Sequence, residues 1–203
     1  MGAASLRASS RARTIDATDD WDDLEARIAL VPADAKIRGM FLSEALRLAP
    51  RLVKSATQQT RYVPFSLYPV QDYMRLLLRI AAARSPSKSA GTALLELGFG
   101  VYSQFASSIA GTAIFAMAQL DFRRVCELSP KAYGVTLKPG GTEVVHAGPN
   151  DAVVRLVQVW PYPDIFHTGI WLGAMEACGA SGTIEVKGRL PSSVELHMHW
   201  TQR

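Results

Sequence analysis

The chain reads as an α+β protein: an N-terminal helical bundle, then an antiparallel sheet of about four to five strands with one inserted helix, in the order β-β-β-α-β-β. Three observations predict this. Apolar residues recur at helical spacing as far as Leu128. From Pro130 onward the pattern becomes alternation broken by Gly/Pro/Asn turns. A single helix-periodic stretch, 165–178, interrupts the strands.

Each element has its own signal. Asp19, Asp20, Asp22 and Asp23 crowd the start of a helix predicted over 19–30, where carboxylates suit the helix dipole. Trp21, Leu24, Ile28 and Val31 share its apolar side, and Pro32 ends it. A second helix is predicted over 35–48, with Ile37, Met40, Phe41, Ala45 and Leu48 on one stripe and Pro50 as its stop. Residues 51–63 fit no single pattern. Tyr68-Pro69 then opens a long helix, with Pro in the first turn, where its missing N–H costs nothing. Tyr73, Leu76, Leu77 and Ile80 form its apolar face, and Ser85-Pro86-Ser87 breaks it. Further helices are predicted over 90–97, 99–119 and 121–128. The middle one is studded with small residues: Ala106, Ser107, Ser108, Ala110, Gly111 and Ala113.

In the β half, strands are predicted over 133–137 and 142–146, turning at Pro139-Gly140-Gly141, and a third over 153–160. Asp164 caps the inserted helix and Gly179 suits its C-terminal cap. The last strands are 183–187 and 194–200.

Composition narrows the function classes. A chain of 203 residues, 48% hydrophobic and 20% charged, is one ordinary domain with enough core to need no staple. Residues 1–18 read as a disordered leader, with a transit peptide as the alternative, and 19–203 as a single α+β domain. Arg7, Arg11 and Arg13 carry much of the net charge of +4. The remainder is near neutral, which argues against a nucleic-acid partner. The most apolar run, 105–118, is too short for a membrane span. Two cysteines, Cys126 and Cys178, cannot make a disulfide framework and point to reduced thiols in a cytoplasmic compartment.

No motif for catalysis is complete. There is no phosphate-binding loop, dinucleotide fingerprint, nucleophile elbow or zinc-spaced cysteine pair. Glu195, His197 and His199 alternate on one face of the last strand, a metal-ligand set by residue type and the polar face of a terminal strand by pattern. His167 lies in the first turn of the inserted helix, as a haem ligand, a pocket donor or structure. Gly169 and Gly173 are four apart and share a face, flanked by Ile165, Trp171, Leu172 and Met175. They serve close packing or a pocket wall.

The run from Val31-Pro32 through Arg38-Gly39-Met40-Phe41-Leu42 resembles the entry block of a large myxobacterial paralogous family of unknown function. Tyr62-Val63-Pro64-Phe65-Ser66-Leu67-Tyr68-Pro69, then Tyr73 and Arg75-Leu76-Leu77, resembles its second block; Leu97-Gly98, Phe105 and Gly111 resemble its third. The element order is also similar to that of haem–nitric-oxide-binding domains, 4-vinyl-reductase domains and vesicle-tethering TRAPP subunits. That resemblance implies an internal cavity for haem, a small molecule or an acyl chain, and often a dimer. The Tyr-x-Ser-x-Arg signature of the haem-binding group is missing here, which speaks against haem, and so are the cysteine and histidine clusters of many 4-vinyl-reductase domains.

The reading that results is a non-enzymatic ligand-binding or sensory module without a cofactor. Its pocket, between the small-residue helix and the Gly169/Gly173 helix, would be lined by Phe105, Ile109, Phe115, His167, Trp171 and Met175 and would take a small hydrophobic molecule. A protein partner, or a second copy, would read the outcome. The alternatives are an interaction adaptor with no pocket, and a haem- or metal-dependent sensor using His167 or His197/His199.

Overall fold

Apolar helix faces need a partner surface, and here two helices meet the apolar face of a sheet while the other described helices pack on one another and on the second of those two. The computed structural model describes residues 20–48, 61–106, 112 and 121–202, with the backbone alone for 103–106. The leader, the 51–60 stretch and the predicted helix beyond 106 lie outside the described residues, Thr112 apart.

Helix α1 (Trp21–Ala29) starts where expected: the Asp20 carboxylate accepts the Asp23 N–H at 2.9 Å. Leu24 and Ile28 are buried from it. The next predicted helix loses its first turn. Lys36–Arg38 is a strand, β1, and helix α2 runs Gly39–Arg47. Tertiary pairing overrides helical periodicity here, because β1 forms the centre of a small antiparallel sheet with β2 (Leu67–Pro69) and β3 (Leu137–Lys138). Pro69 therefore ends a strand, and helix α3 (Val70–Arg84) follows.

Helix α4 runs unbroken from Ala90 to Ala106, through Gly98 and Gly100. Helix α5 spans Phe122–Gly134 with Pro130 inside it. A proline interrupts one backbone bond, but the chain can resume helical geometry after it. Tyr133 is consequently helical, and the strand expected over 133–137 shrinks to β3, which belongs to the small sheet.

The main sheet holds β4 (Gly141–Ala147), β5 (Asp151–Val157), β6 (Ala180–Leu190) and β7 (Ser193–Gln202), all antiparallel, in the order β4-β5-β7-β6. The inserted helix α6 (Phe166–Ala177) joins β5 to β6. Strict alternation buries Ala152, Val154 and Leu156 of β5 and Val194, Leu196, Met198 and Trp200 of β7. Phe122 of α5 sets its ring edge-on against Trp200 at 4.9 Å and Trp171 at 6.2 Å, tying α5 and α6 to that face. No helix among the described residues is long and apolar enough to cross a membrane.

The crossing of α4 and α6 is closed by glycine. A Cβ on Gly169 would stand 2.1 Å from the Leu95 carbonyl, one on Gly98 2.0 Å from the Phe166 carbonyl, and one on Gly173 2.7 Å from the Phe99 carbonyl. Those obstacles are backbone atoms and cannot swing aside. Gly169→Ala should therefore lower the unfolding free energy by about 3 kcal/mol or more. Gly100→Ala meets open space in the same helix and should raise it by about 0.5–1 kcal/mol. Urea titration of both variants checks the contrast; equal effects would show that the two helices can slide apart.

Candidate functional site

The first turn of α6 is built on a strained residue. Tyr162 is buried with φ +50, in the left-handed region that a bulky side chain rarely adopts. In that conformation its carbonyl receives the N–H groups of Ile165 (3.1 Å), Phe166 (2.9 Å) and His167 (3.3 Å). One oxygen thus serves donors that a helix start leaves unpaired. Anchors to α1 hold the turn: the Tyr162 hydroxyl donates to the Leu24 carbonyl at 3.3 Å, and Arg27 donates to the buried Asp164 carboxylate at 2.8 Å. His167 and Trp171, four apart, then project from one side of α6, roughly opposite Gly169 and Gly173.

On that side lies a partly open cavity of about 160 Å3. Phe166, His167, Ile170, Trp171 and Ala174 of α6 form one wall. Val125, Leu128, Ser129, Ala132 and Tyr133 of α5 form the facing one. Tyr73 of α3, Val101 and Tyr102 of α4, Ile37, Met40, Phe41 and residues 135–137 complete the lining, and the exposed Val135 marks its mouth. A hydrogen bond between the Ser129 and Thr142 hydroxyls, 2.9 Å and buried, ties α5 to β4.

The mouth unites two distant stretches of sequence. Arg38 donates to the carbonyls of Val135 (2.6 Å) and Phe65 (2.9 Å). The Gly39 N–H reaches the Ser66 carbonyl at 2.9 Å and the Met40 N–H the Pro64 carbonyl at 3.0 Å. A Cβ on Gly39 would fall 2.3 Å from the Val63 carbonyl, so glycine is needed for this approach. The Arg38-Gly39-Met40-Phe41 run and the 62–69 run form one rim.

Electrostatically the cavity is quiet. Among the described residues lining it there is no acid, lysine or arginine. His167 is 6% exposed, and burial pushes its pKa from 6.5 down to about 3, so the ring is neutral. Its Nδ1 lies 2.8 Å from the Tyr133 hydroxyl, while Nε2 is shielded and has no hydrogen-bond partner among the described residues. Burial also pushes the Tyr73, Tyr102 and Tyr133 hydroxyls upward; the Trp171 indole beside Tyr133 pulls weakly the other way but falls short of hydrogen-bond geometry. Burial raises both thiols, Cys178 to about 11, which keeps them protonated.

Of the residues singled out from sequence, His167 and Trp171 line the cavity. Met175 is buried beyond its lining, one turn further along α6. The Phe105 side chain, Ile109 and Phe115 lie outside the described residues. Glu195, His197 and His199 stand on β7, facing away from Val194, Leu196 and Met198. Glu195 accepts from Arg155 at 2.6 Å and meets His197 Nε2 at 3.3 Å; the guanidinium holds its carboxyl below the usual range. No group of three or more His, Cys, Asp or Glu among the described residues is placed to hold a metal. The α5 wall was missed from sequence, although Val125, Leu128, Ser129, Ala132 and Tyr133 keep helical spacing straight through Pro130.

Comparison with known proteins places the fold. Residues 30–201 match the family model described as "Protein of unknown function (DUF2378)". A search of curated proteins finds no match. Solved structures are similar at low identity. An H-NOX protein from S. oneidensis in the Fe(II)NO ligation state has TM-score 0.63 and 12% identity, over 82% of this chain and 100% of that one. The Fe(II) unliganded H-NOX protein from K. algicida has TM-score 0.60 and 13% identity, over 82% and 98%. A structure from work on haem distortion in the H-NOX family has TM-score 0.59 and 11% identity, over 82% and 95%. The chain shares their α+β fold.

The buried imidazole makes stability depend on pH. An unfolded chain titrates His167 near 6.5 and the folded one near 3. As pH falls the unfolded state takes the proton first, so stability is full above 6.5, declines towards 3, and levels below it. At pH 4 the loss is on the order of 3 kcal/mol. His167→Phe should flatten that part of the profile in urea titrations between pH 7 and 4; an unchanged slope would mean that the folded ring meets solvent.

Proposed function

This chain belongs to the family described as a protein of unknown function, DUF2378, and from that premise, with no assigned chemistry to inherit, we propose that it is a non-enzymatic ligand-binding sensory module that takes a small apolar molecule between α5 and α6. The cavity carries this reading. Its volume of about 160 Å3 is close to that of an engineered apolar cavity which stays dry and binds benzene. The likeness to the H-NOX structures supports a module of this general kind. Ser129, on the α5 wall, has Thr142 as its partner among the described residues instead of a base, which favours binding over catalysis.

Haem does not fit this site. The cavity is smaller than the roughly 300–1,000 Å3 of clefts that bury drug-sized ligands, and a porphyrin is larger still. Its propionates would find no lysine or arginine among the described lining residues. His167 Nε2 supplies a nitrogen without a partner, and the other requirements are unmet.

A second reading, an interaction adaptor, is favoured by one observation. Val63, Leu67, Val135 and especially Phe65, 76% exposed, form an apolar rim gathered by Arg38 beside the cavity mouth. A second copy of this chain is the partner proposed for it. Native mass spectrometry should then give a dimer mass that Phe65→Ser reduces to the monomer.

The ligand-binding reading predicts that benzene raises the unfolding temperature of the wild-type protein in a saturable manner. Ala174→Leu, which fills the wall, should stabilise the free protein by about 1 kcal/mol and abolish the benzene response. A wild type indifferent to benzene would remove the proposal.

A further inference from the structure

We propose that the apolar rim beside the cavity mouth, together with the outer face of the small sheet, docks on an anionic lipid bilayer. The proposal stands whether or not the cavity holds a guest.

Strand register builds the face. In β1 the buried Ile37 lies between Lys36 and Arg38, so these two project from the opposite side of the sheet. Lys36 pairs with Lys138 of β3, and Arg38 pairs with Leu67 of β2. Directly paired residues share a face. Lys36, Arg38, Lys138 and Leu67 therefore stand together on the outer surface. The neighbouring chain adds apolar bulk. Phe65 precedes Leu67 by two residues, Val135 precedes Leu137 by two, and the Arg38 guanidinium holds the carbonyls of both at 2.9 and 2.6 Å. Phe65 is 76% exposed, Val135 62% and Leu67 45%.

Both halves of this face are costly in water. Lys36 opposite Lys138 sets like charges across a strand pair. Lys36 donates to the Ala33 carbonyl, and Arg38 to its two carbonyls, so neither charge meets an acid in these contacts. Asp34, exposed in the turn before β1, sets one negative charge against three positive ones. Exposed apolar groups edged by charge mark an interaction surface. An anionic bilayer relieves both halves: its headgroups meet the cations, and its interfacial layer takes the phenyl and aliphatic side chains. A second copy would satisfy the apolar half alone, because a two-fold pairing through this face brings its basic residues together. A soluble polyanion would satisfy the basic half alone. Val135 belongs to both the rim and the cavity lining, so docking turns the cavity mouth towards the bilayer.

Sedimentation of the full chain with vesicles tests this. The protein should pellet with phosphatidylcholine and phosphatidylserine in equal parts, stay in solution with phosphatidylcholine alone, and be released by high salt. The double variant Lys36→Gln/Lys138→Gln should lower partitioning about thirtyfold, the worth of two cations at a charged surface. Phe65→Ser should lower it about tenfold while leaving the urea midpoint of the free protein in place, since that side chain is mostly in water. Binding unchanged in both variants would overturn the rim as the docking surface and assign the attraction to Arg7, Arg11 and Arg13. Equal binding to both kinds of vesicle would overturn the role of charge and the proposal with it. A protein that ignores anionic vesicles but gives a dimer mass lost in Phe65→Ser would overturn the bilayer in favour of the second copy.

Discussion

The contact of α4 with α6 through Gly98, Gly169 and Gly173 governs the rest of the molecule. Backbone meets backbone there, with carbonyls occupying the places that Cβ atoms would take. Helices normally keep axes roughly 8–10 Å apart because side chains intervene. Removing the side chains fixes α6 against α4 with almost no freedom to roll. The direction of its other side is then settled, and that side carries His167, Ile170, Trp171 and Ala174. Small residues on α6 thus do not themselves open space. They immobilise one wall so that space can persist on the far side.

Persistence needs the facing wall to be equally firm. Helix α5 is held by the Phe122 ring between Trp171 and Trp200 and by the Ser129–Thr142 hydrogen bond, both of which link it to elements already anchored on the sheet. The strained Tyr162 precedes the first turn of α6, and His167, with its unpartnered Nε2, lies in that turn, so both are close to the cavity wall.

Much of the architecture was legible in the sequence where local and long-range demands agree. The acidic start of α1, the alternation of β5 and β7, and the Gly179 end of α6 each serve the tertiary structure as well as the local one. The failures occur where those demands part. Ile37 and Phe41 have helical spacing, yet β1 is a strand because the small sheet needs its backbone. Pro130 signals an end to α5, yet packing against β4 and α6 carries the helix on to Gly134. That second failure hid half of the site, because Ala132 and Tyr133 lie beyond the proline. His167 and Trp171 were legible because their spacing on a well-marked helix places them together whatever surrounds it.

Shared architecture and cavity chemistry are set by different residues. The glycine contact and the alternating strands specify backbone positions, and a fold similar to that of H-NOX proteins is maintained at 12–13% identity. The character of the cavity is set by what projects into the space those backbones leave: a neutral imidazole within hydrogen-bond distance of a tyrosine, among mostly apolar side chains, with no lysine or arginine among the described lining residues. Ring surroundings and the size of the space both follow from the same two helices, so the chemistry of the cavity depends on how α5 and α6 are held apart.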